Sequence, residues 1–271
     1  MPELPEVETT RRGIAPHITQ RKITAMTLRD GRLRWPVDEN LVETLPGCFI
    51  EQITRRGKYL LLHLNDKRTL LWHLGMSGSL RILSKATPPQ KHDHIDLHFG
   101  ATTLRFHDPR RFGALLVTDE NPEHHALLHH LGPEPLSDDF NATYLFSRSR
   151  KRSIAVKKWI MDSKLVVGVG NIYANEALFA ARIHPLKACG KLTRKQCELL
   201  VEKIKTVLDN AIAQGGTTLK DFVGSDGKPG YFAQQLLVYG RGGEACTACG
   251  KPLLEKALAA RTTVYCSHCQ R

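Results

Sequence analysis

The sequence predicts an α+β chain: an N-terminal helix with a β-sandwich, then a helical region, then a small metal-held hairpin. Three observations predict it. Between about residues 21 and 118, short β-favouring runs alternate with turn residues, the spacing of a sandwich. Beyond residue 140 the apolar positions switch to helical spacing. Four of the seven cysteines fall in the last 26 residues, as two pairs.

The opening residues read as a helix. Pro2 and Pro5 fit only its first turn, where backbone N–H groups have no intrahelical partner in any case. Val7, Arg11 and Ile14 follow helical spacing, and Gly13 with Pro16 is expected to end the helix. Strands are expected at 58–64, 69–74 and 102–106, with Asn65-Asp66 and Gly100-Ala101 where hairpin turns belong. The acidic, Pro-rich stretch 131–139 reads as a break between domains. It sets expected divisions of 1–131, a linker over 132–152, then 153–233 and 234–271. Helices are expected over 142–149, 154–162, 171–182 and 193–213. The last is amphipathic through Leu199, Leu200, Ile204, Val207, Leu208, Ala211 and Ile212, and Gly215-Gly216 stops it. A polar, Gly-rich segment, 217–230, follows.

The formal net charge is +12 and is unevenly placed: residues 1–131 carry a net +3 and residues 132–271 a net +9. A basic half suits a polyanion such as nucleic acid, and it equally suits a solubilising surface. No apolar run reaches membrane-spanning length. The N-terminus lacks the basic and apolar regions of a signal peptide, so a cytoplasmic protein is expected. An odd cysteine count without such a signal points to a reducing compartment and to metal binding rather than disulfides.

Cys246-x2-Cys249-x16-Cys266-x2-Cys269 has zinc-ligand spacing. Each pair grips one edge of a tetrahedral Zn²⁺, and the intervening residues form a hairpin. Four thiolates leave no open position, so one structural ion is expected, holding together a tail too small to fold otherwise. Arg261 lies near the hairpin tip, where a solvated turn arginine is the plain reading. Pro2 offers a different chemistry. Met before Pro is readily removed, leaving a secondary amine that can attack a sugar C1′ and form an iminium that stays cationic. The positive end of the helix disfavours the protonated amine, and Glu3 stands beside it as a proton carrier. A helix that merely starts with Pro is the alternative.

Several motifs occur in one order: Pro2-Glu3-Leu4-Pro5-Glu6-Val7-Glu8-Thr9, Lys58, His73-Leu74-Gly75-Met76-Ser77-Gly78, Asp108-Pro109-Arg110-Arg111-Phe112-Gly113, Gly168-Val169-Gly170-Asn171-Ile172-Tyr173-Ala174, and the four terminal cysteines. Together they span essentially the whole chain, which closely resembles the bacterial formamidopyrimidine-DNA glycosylases (8-oxoguanine DNA glycosylase/AP lyases). Leu4 favours this purine-specific branch over the related endonuclease VIII branch. The resemblance implies an N-terminal β-sandwich, a helical domain with a helix-two-turn-helix motif, and a zinc finger, with DNA in the cleft between domains. It implies base-excision repair of oxidised purines by a monomer acting on duplex DNA that carries such lesions or abasic sites. By the same resemblance Pro2 is the Schiff-base nucleophile and Glu3 the proton donor in base removal. Lys58 assists β-elimination, and Arg261 assists δ-elimination from a hairpin that zinc makes rigid.

A base must leave the stack to be cut, and something must fill the gap. Met76, Arg110 and Phe112 match the family's inserted residues, an apolar wedge with an arginine. They are otherwise residues of core type. His92, Arg152 and Lys157 match its phosphate contacts. Gly168-x-Gly170 is read as a turn that aims backbone N–H groups and Asn171 at a phosphate, because Tyr173 occupies the third glycine position of a dinucleotide fingerprint. His92-Asp93-His94 with His98 suggests a metal site, but strand and DNA-contact roles are preferred. The segment 217–231 matches the damage-reading loop. Two rivals remain open: a non-enzymatic zinc-finger DNA-binding protein and a glycosylase for oxidised pyrimidines.

Overall fold

The computed structural model describes residues 2–84, 87–216 and 235–271. The chain divides into two compact units, one built on Met1–His130 and one on Leu131–Ala213 with Gln234–Arg271; residues 214–216 group with the first.

The first unit opens with α1 (Leu4–Ile18), β1 (Ala25–Leu28) and the short α2 (Leu41–Thr44). Strands β2 (Ile50–Arg56), β3 (Tyr59–Leu64), β4 (Thr69–His73), β5 (Ser79–Ser84), β6 (Asp93–Phe99), β7 (Thr102–His107) and β8 (Ala114–Thr118) follow. They form two antiparallel four-stranded sheets, ordered β1-β6-β7-β5 and β2-β3-β4-β8. The core joins Leu60, Leu62 and Trp72 of one sheet to Ile95, Leu97, Leu104 and Phe106 of the other. Trp72 meets Phe106 edge to face at 5.5 Å. The hairpins expected at Asn65-Asp66 and at Gly100-Ala101, with Gly100 at φ 70°, are both present, and β2–β3 adds another whose turn opens on Gly57 at φ 57° before Lys58.

Helix α1 runs past Gly13 and Pro16, where the sequence predicts its end. Pro16 forfeits a backbone bond and crowds the preceding turn, at about 3 kcal/mol. Ile14 and Ile18 are completely buried, and each contributes about 1.5–3 kcal/mol by leaving water, which outweighs the proline.

The second unit contains α3 (Ala142–Ser149), α4 (Val156–Ile160), α5 (Asn171–Ala180), α6 (Arg194–Ala213) and the hairpin β9 (Leu254–Leu258)–β10 (Arg261–Tyr265). Residues 132–152, expected as a linker, lie inside this unit. Gly132 N–H donates to Ser163 O at 2.8 Å, Val167 N–H donates to Pro133 O at 3.1 Å, and Asn141 caps α3. Every residue from Ile172 to Phe179 is buried, so α5 is a central helix apolar on most sides. No helix of the described residues is long and apolar enough to cross a membrane.

Candidate active site and nucleic-acid interface

Glu3 is the N-cap of α1, in extended backbone. Its N–H donates to Glu6 Oε2 at 2.8 Å, and its side chain accepts the Glu6 N–H in return. This is a reciprocal capping box with Glu in the place of Ser or Thr. Both carboxylates are 2% exposed, and Pro2 before them is buried as well. A buried imino acid therefore immediately precedes a capping box made of two buried glutamates at the positive end of a helix.

Lys58 sits at the tip of the β2–β3 hairpin, and Arg55 ties that hairpin to α1. Arg55 Nη1 donates to Gly57 O at 2.9 Å and its Nε to Glu8 Oε2 at 3.2 Å. Burial alone would raise the Glu8 carboxyl; hydrogen bonds from Arg11 and Arg12 and the nearby charges of Arg11 and Arg55 outweigh it and hold the group at about 2. Burial, with the charges of Lys58 and Arg34, pushes His73 down to about 4, so its ring is neutral at physiological pH. Its Nδ1 accepts the Gly75 N–H at 3.0 Å.

Two loops of the first unit are locked together by Asp108, which is completely buried. Its Oδ1 accepts Ser77 Oγ–H at 2.7 Å and its Oδ2 accepts the Gly113 N–H at 2.8 Å. Gly75, at φ 67°, lies so close to the Phe112–Gly113 backbone that a Cβ would overlap it. The result places Met76, Arg110 and Phe112 around one cavity of about 680 Å³, shared with Arg32, Arg34 and His73. Phe112 is 45% exposed, with the Arg110 guanidinium 5.1 Å from its ring centroid. An exposed aromatic carrying a cation is unlike a core residue and suits stacking against bases. His92 adjoins this system: its carbonyl accepts the Asp108 N–H at 3.0 Å, and its backbone is left-handed at φ 72°. His94 and His98 are engaged by Asp108 O and by Thr27 and Thr103. Among the described residues only the four cysteines bring metal-ligating atoms together.

In the second unit, Lys157 on α4 is buried, and its Nζ donates to Thr262 O and Thr263 Oγ1, both at 2.8 Å. Asn171, first in α5, donates to the same Thr262 carbonyl at 3.1 Å; its Oδ1 is buried with no hydrogen-bond partner among the described residues. Asn175 accepts the Val264 N–H at 2.9 Å. Strand β10 is thus stitched to α4 and α5 immediately after Arg261. Arg261 is exposed and follows Ala259 and Ala260, which both take left-handed backbone at the hairpin tip. Arg152 is exposed, and its carbonyl accepts the Gly190 N–H at 3.0 Å.

The four cysteine sulfurs lie within 4.8 Å of one another, with Cys246–Cys269 at 4.0 Å and Cys249–Cys266 at 3.5 Å. Thiolates around a tetrahedral zinc stand about 3.8 Å apart, so the cluster fits a closed four-sulfur ion. Cys246 and Cys266 pack with Val238, Leu253 and Val264 around Phe179 of α5.

Residues 1–115 match the family described as the formamidopyrimidine-DNA glycosylase N-terminal domain, and residues 131–223 its H2TH domain. This chain belongs to the formamidopyrimidine-DNA glycosylase family. It is 68% identical to the formamidopyrimidine-DNA glycosylase of Teredinibacter turnerae and 57% identical to that of Salmonella arizonae, covering the full length of both chains in each case. The MutM (Fpg) crystal structure from Thermus thermophilus superposes with a TM-score of 0.88 at 38% identity, covering 99% of this chain and 98% of that one. The Lactococcus lactis Fpg in complex with abasic-site DNA gives 0.91 at 34% identity, with full coverage of both chains. The first unit is accordingly the family's β-sandwich, α4 and α5 fall within its helix-two-turn-helix region, and the cysteine hairpin stands where its zinc finger does.

The residues expected from the sequence divide between the units. Pro2, Glu3, Lys58, Met76, His92, Arg110 and Phe112 belong to the first; Arg152, Lys157, Asn171, Arg261 and the four cysteines belong to the second. The damage-reading segment 217–231 lies outside the described residues. Sequence reasoning passed over Glu6, Arg55, Asn175 and Glu176. Glu6 was findable, since Glu3-x-x-Glu6 has the spacing of a capping box. Glu176 was not: its carboxylate accepts the N–H groups of Leu237, Val238 and Tyr239, some sixty residues away in sequence.

Proposed function

We propose that this enzyme removes oxidised purines such as 8-oxoguanine and formamidopyrimidines from duplex DNA and then cuts the strand, through a Schiff base on Pro2. The observation that carries the reading is the start of α1, where buried Pro2 immediately precedes Glu3, whose backbone the buried Glu6 holds in a capping box. With Met1 removed, the Pro2 nitrogen attacks C1′ and the glycosidic bond breaks, its electron pair leaving with the base. The nitrogen gives up its proton, and the C1′–O4′ bond then opens, O4′ taking a proton, to leave an iminium between Pro2 and C1′. Glu3 supplies a proton in this exchange. The resulting iminium acidifies the C2′ proton; its loss expels the 3′ phosphate, with Lys58 assisting, and a second elimination expels the 5′ phosphate, with Arg261 assisting. Met76, Arg110 and Phe112 fill the gap left by the flipped nucleotide, while His92, Arg152 and Asn171 serve the DNA backbone. Lys157, its ammonium buried on Thr262 and Thr263, serves it through the β10 strand that it holds. Cys246, Cys249, Cys266 and Cys269 would hold a zinc ion that would crosslink the finger and, with four thiolates bound, leave no open position for the reaction.

Borohydride trapping on duplexes carrying 8-oxoguanine or an oxidised pyrimidine tests this. A covalent adduct, strongest with the purine lesion and located on Pro2 by mass spectrometry, is expected. An adduct on Lys58 in the unmodified enzyme overturns the nucleophile. A preference for the pyrimidine lesion overturns the substrate, and no adduct on any lesion overturns the chemistry.

A further inference from the structure

The chain leaving α6 passes through two adjacent glycines with the same backbone and different surroundings. Gly215 has φ 76° and Gly216 has φ 82°, both in the left-handed region. A Cβ on Gly215 would meet nothing within 4 Å. A Cβ on Gly216 would meet Glu6 at Oε1 (3.2 Å), Cγ (3.3 Å) and Cα (3.5 Å). Gly216 is buried, so its backbone lies directly on the Glu6 side chain. That side chain holds the Glu3 N–H through its other oxygen at 2.8 Å.

We propose that Gly216 is a positioning residue for base removal, seating the α6 exit against Glu6 so that Glu6 fixes the backbone of Glu3. The proposal rests on the reading of Glu3 as the proton donor in that step. Carbon–carbon contacts are favourable at about 3.5–4.0 Å, so a methyl group at 216 forces the buried Glu6 to shift by a few tenths of an ångström. Glu6 is 2% exposed and has little open space to move into. The shift therefore passes to the bond with Glu3 N and turns the neighbouring carboxylate from its working position. Left-handed backbone costs a non-glycine residue about 1–2 kcal/mol at either glycine, so Gly215→Ala carries the same strain without the contact.

The test compares Gly216→Ala with Gly215→Ala in three measurements: single-turnover base release from an 8-oxoguanine duplex, strand cleavage at a pre-formed abasic site, and thermal unfolding. Both variants should lose similar thermal stability. Gly216→Ala alone should slow base release, about three- to tenfold at saturating enzyme, with the half-saturating concentration and abasic-site cleavage unchanged. Equal base release by the two variants, or an equal loss in both reactions for Gly216→Ala, overturns the proposal. If Gly216→Ala fails to fold, Glu6→Asp, which withdraws the carboxyl from Glu3, should give the same selective loss; unaffected base release then overturns the proposal. Glu3→Gln run alongside separates the two levels. Unchanged base release in that variant overturns the reading of Glu3 and the proposal with it. Abolished release together with equal behaviour of the two glycine variants overturns the Gly216 assignment alone.

Discussion

Arg55 on β2 reaches Glu8 on α1, Nε to Oε2 at 3.2 Å, while its Nη1 holds the carbonyl of Gly57 at the turn that carries Lys58. One guanidinium thus fixes the Lys58 hairpin to the helix that begins beside Pro2 and Glu3. The ion pair is also a pH sensor. Glu8 is held at about 2, below its unfolded value, so its contribution is present above pH 4.5 and disappears as pH falls from 4.5 towards 2. His73, held at about 4, adds an earlier loss as pH falls from 6.5 to 4, because the fold disfavours its charged form. Glu8→Gln should cost about 1–2 kcal/mol at pH 7 after solvent screening. It should also flatten the stability profile below pH 4.5 while leaving the loss between 6.5 and 4. Urea unfolding at pH 7, 5 and 3.5 measures both.

Gly75→Ala should damage the wedge more than any surface change near it. The left-handed backbone at Gly75 costs about 1–2 kcal/mol for alanine, and overlap with the Phe112–Gly113 backbone adds about 1–3 kcal/mol. Phe112 and Met76 would then separate. Thermal unfolding should drop, and affinity for a duplex with an abasic site should fall further than that of Gly100→Ala. In the latter, the glycine has similar backbone and open space around it.

Much of this was legible in the sequence because the signals are local. Cysteine spacing pointed to the four sulfurs that come together, and the helical periods of 142–149 and 193–213 match α3 and α6 almost to the residue. The run to Ile18 was missed because Pro16 is overruled by burial, which depends on partners from both sheets. Asp108 appeared in a motif without a role, since its partners Ser77 and Gly113 meet only after the sheets form. Lys157 reads in sequence as one more cation in a basic run; only the fold shows its ammonium buried against β10.

Lys157→Met should therefore act through the finger. Removing the ammonium takes one donor from the Thr262 carbonyl and the partner from Thr263 Oγ1, at about 1–3 kcal/mol. Zinc should leave faster under a chelator, and strand cleavage at abasic sites should decline more than base release. Zinc retention and cleavage equal to the unmodified enzyme would remove Lys157 from this role.

Cys249→Ser breaks the four-sulfur cluster directly. Cys266 and Cys246 pack against Phe179, so losing the ion should loosen β9–β10 without unfolding the sandwich. DNA binding should weaken and Arg261 should lose its fixed base. Full zinc loss, measured by metal analysis, with unchanged binding and strand cleavage would contradict a supporting role for the metal.

Arg261→Gln separates the two eliminations. On the proposed mechanism, base release would depend on Pro2 and Glu3 in the first unit, and loss of the 3′ phosphate would follow from the acidity of the C2′ proton beside the iminium. Departure of the 5′ phosphate calls for positive charge near that group. A guanidinium is a cation that donates hydrogen bonds and does not readily give up a proton, so on the proposed reading Arg261 would stabilise the leaving phosphate electrostatically. The side chain starts from a constrained position. Thr262 O, one residue on, is held by both Lys157 and Asn171, and Val264 N–H is held by Asn175. Arg261→Gln should leave base release largely intact and let the β-elimination product accumulate before the one-nucleotide gap appears. A time course on a sequencing gel resolves the two ends. If the variant instead abolished base release and left δ-elimination at a pre-formed abasic site unchanged, the charge at 261 would belong to the first step.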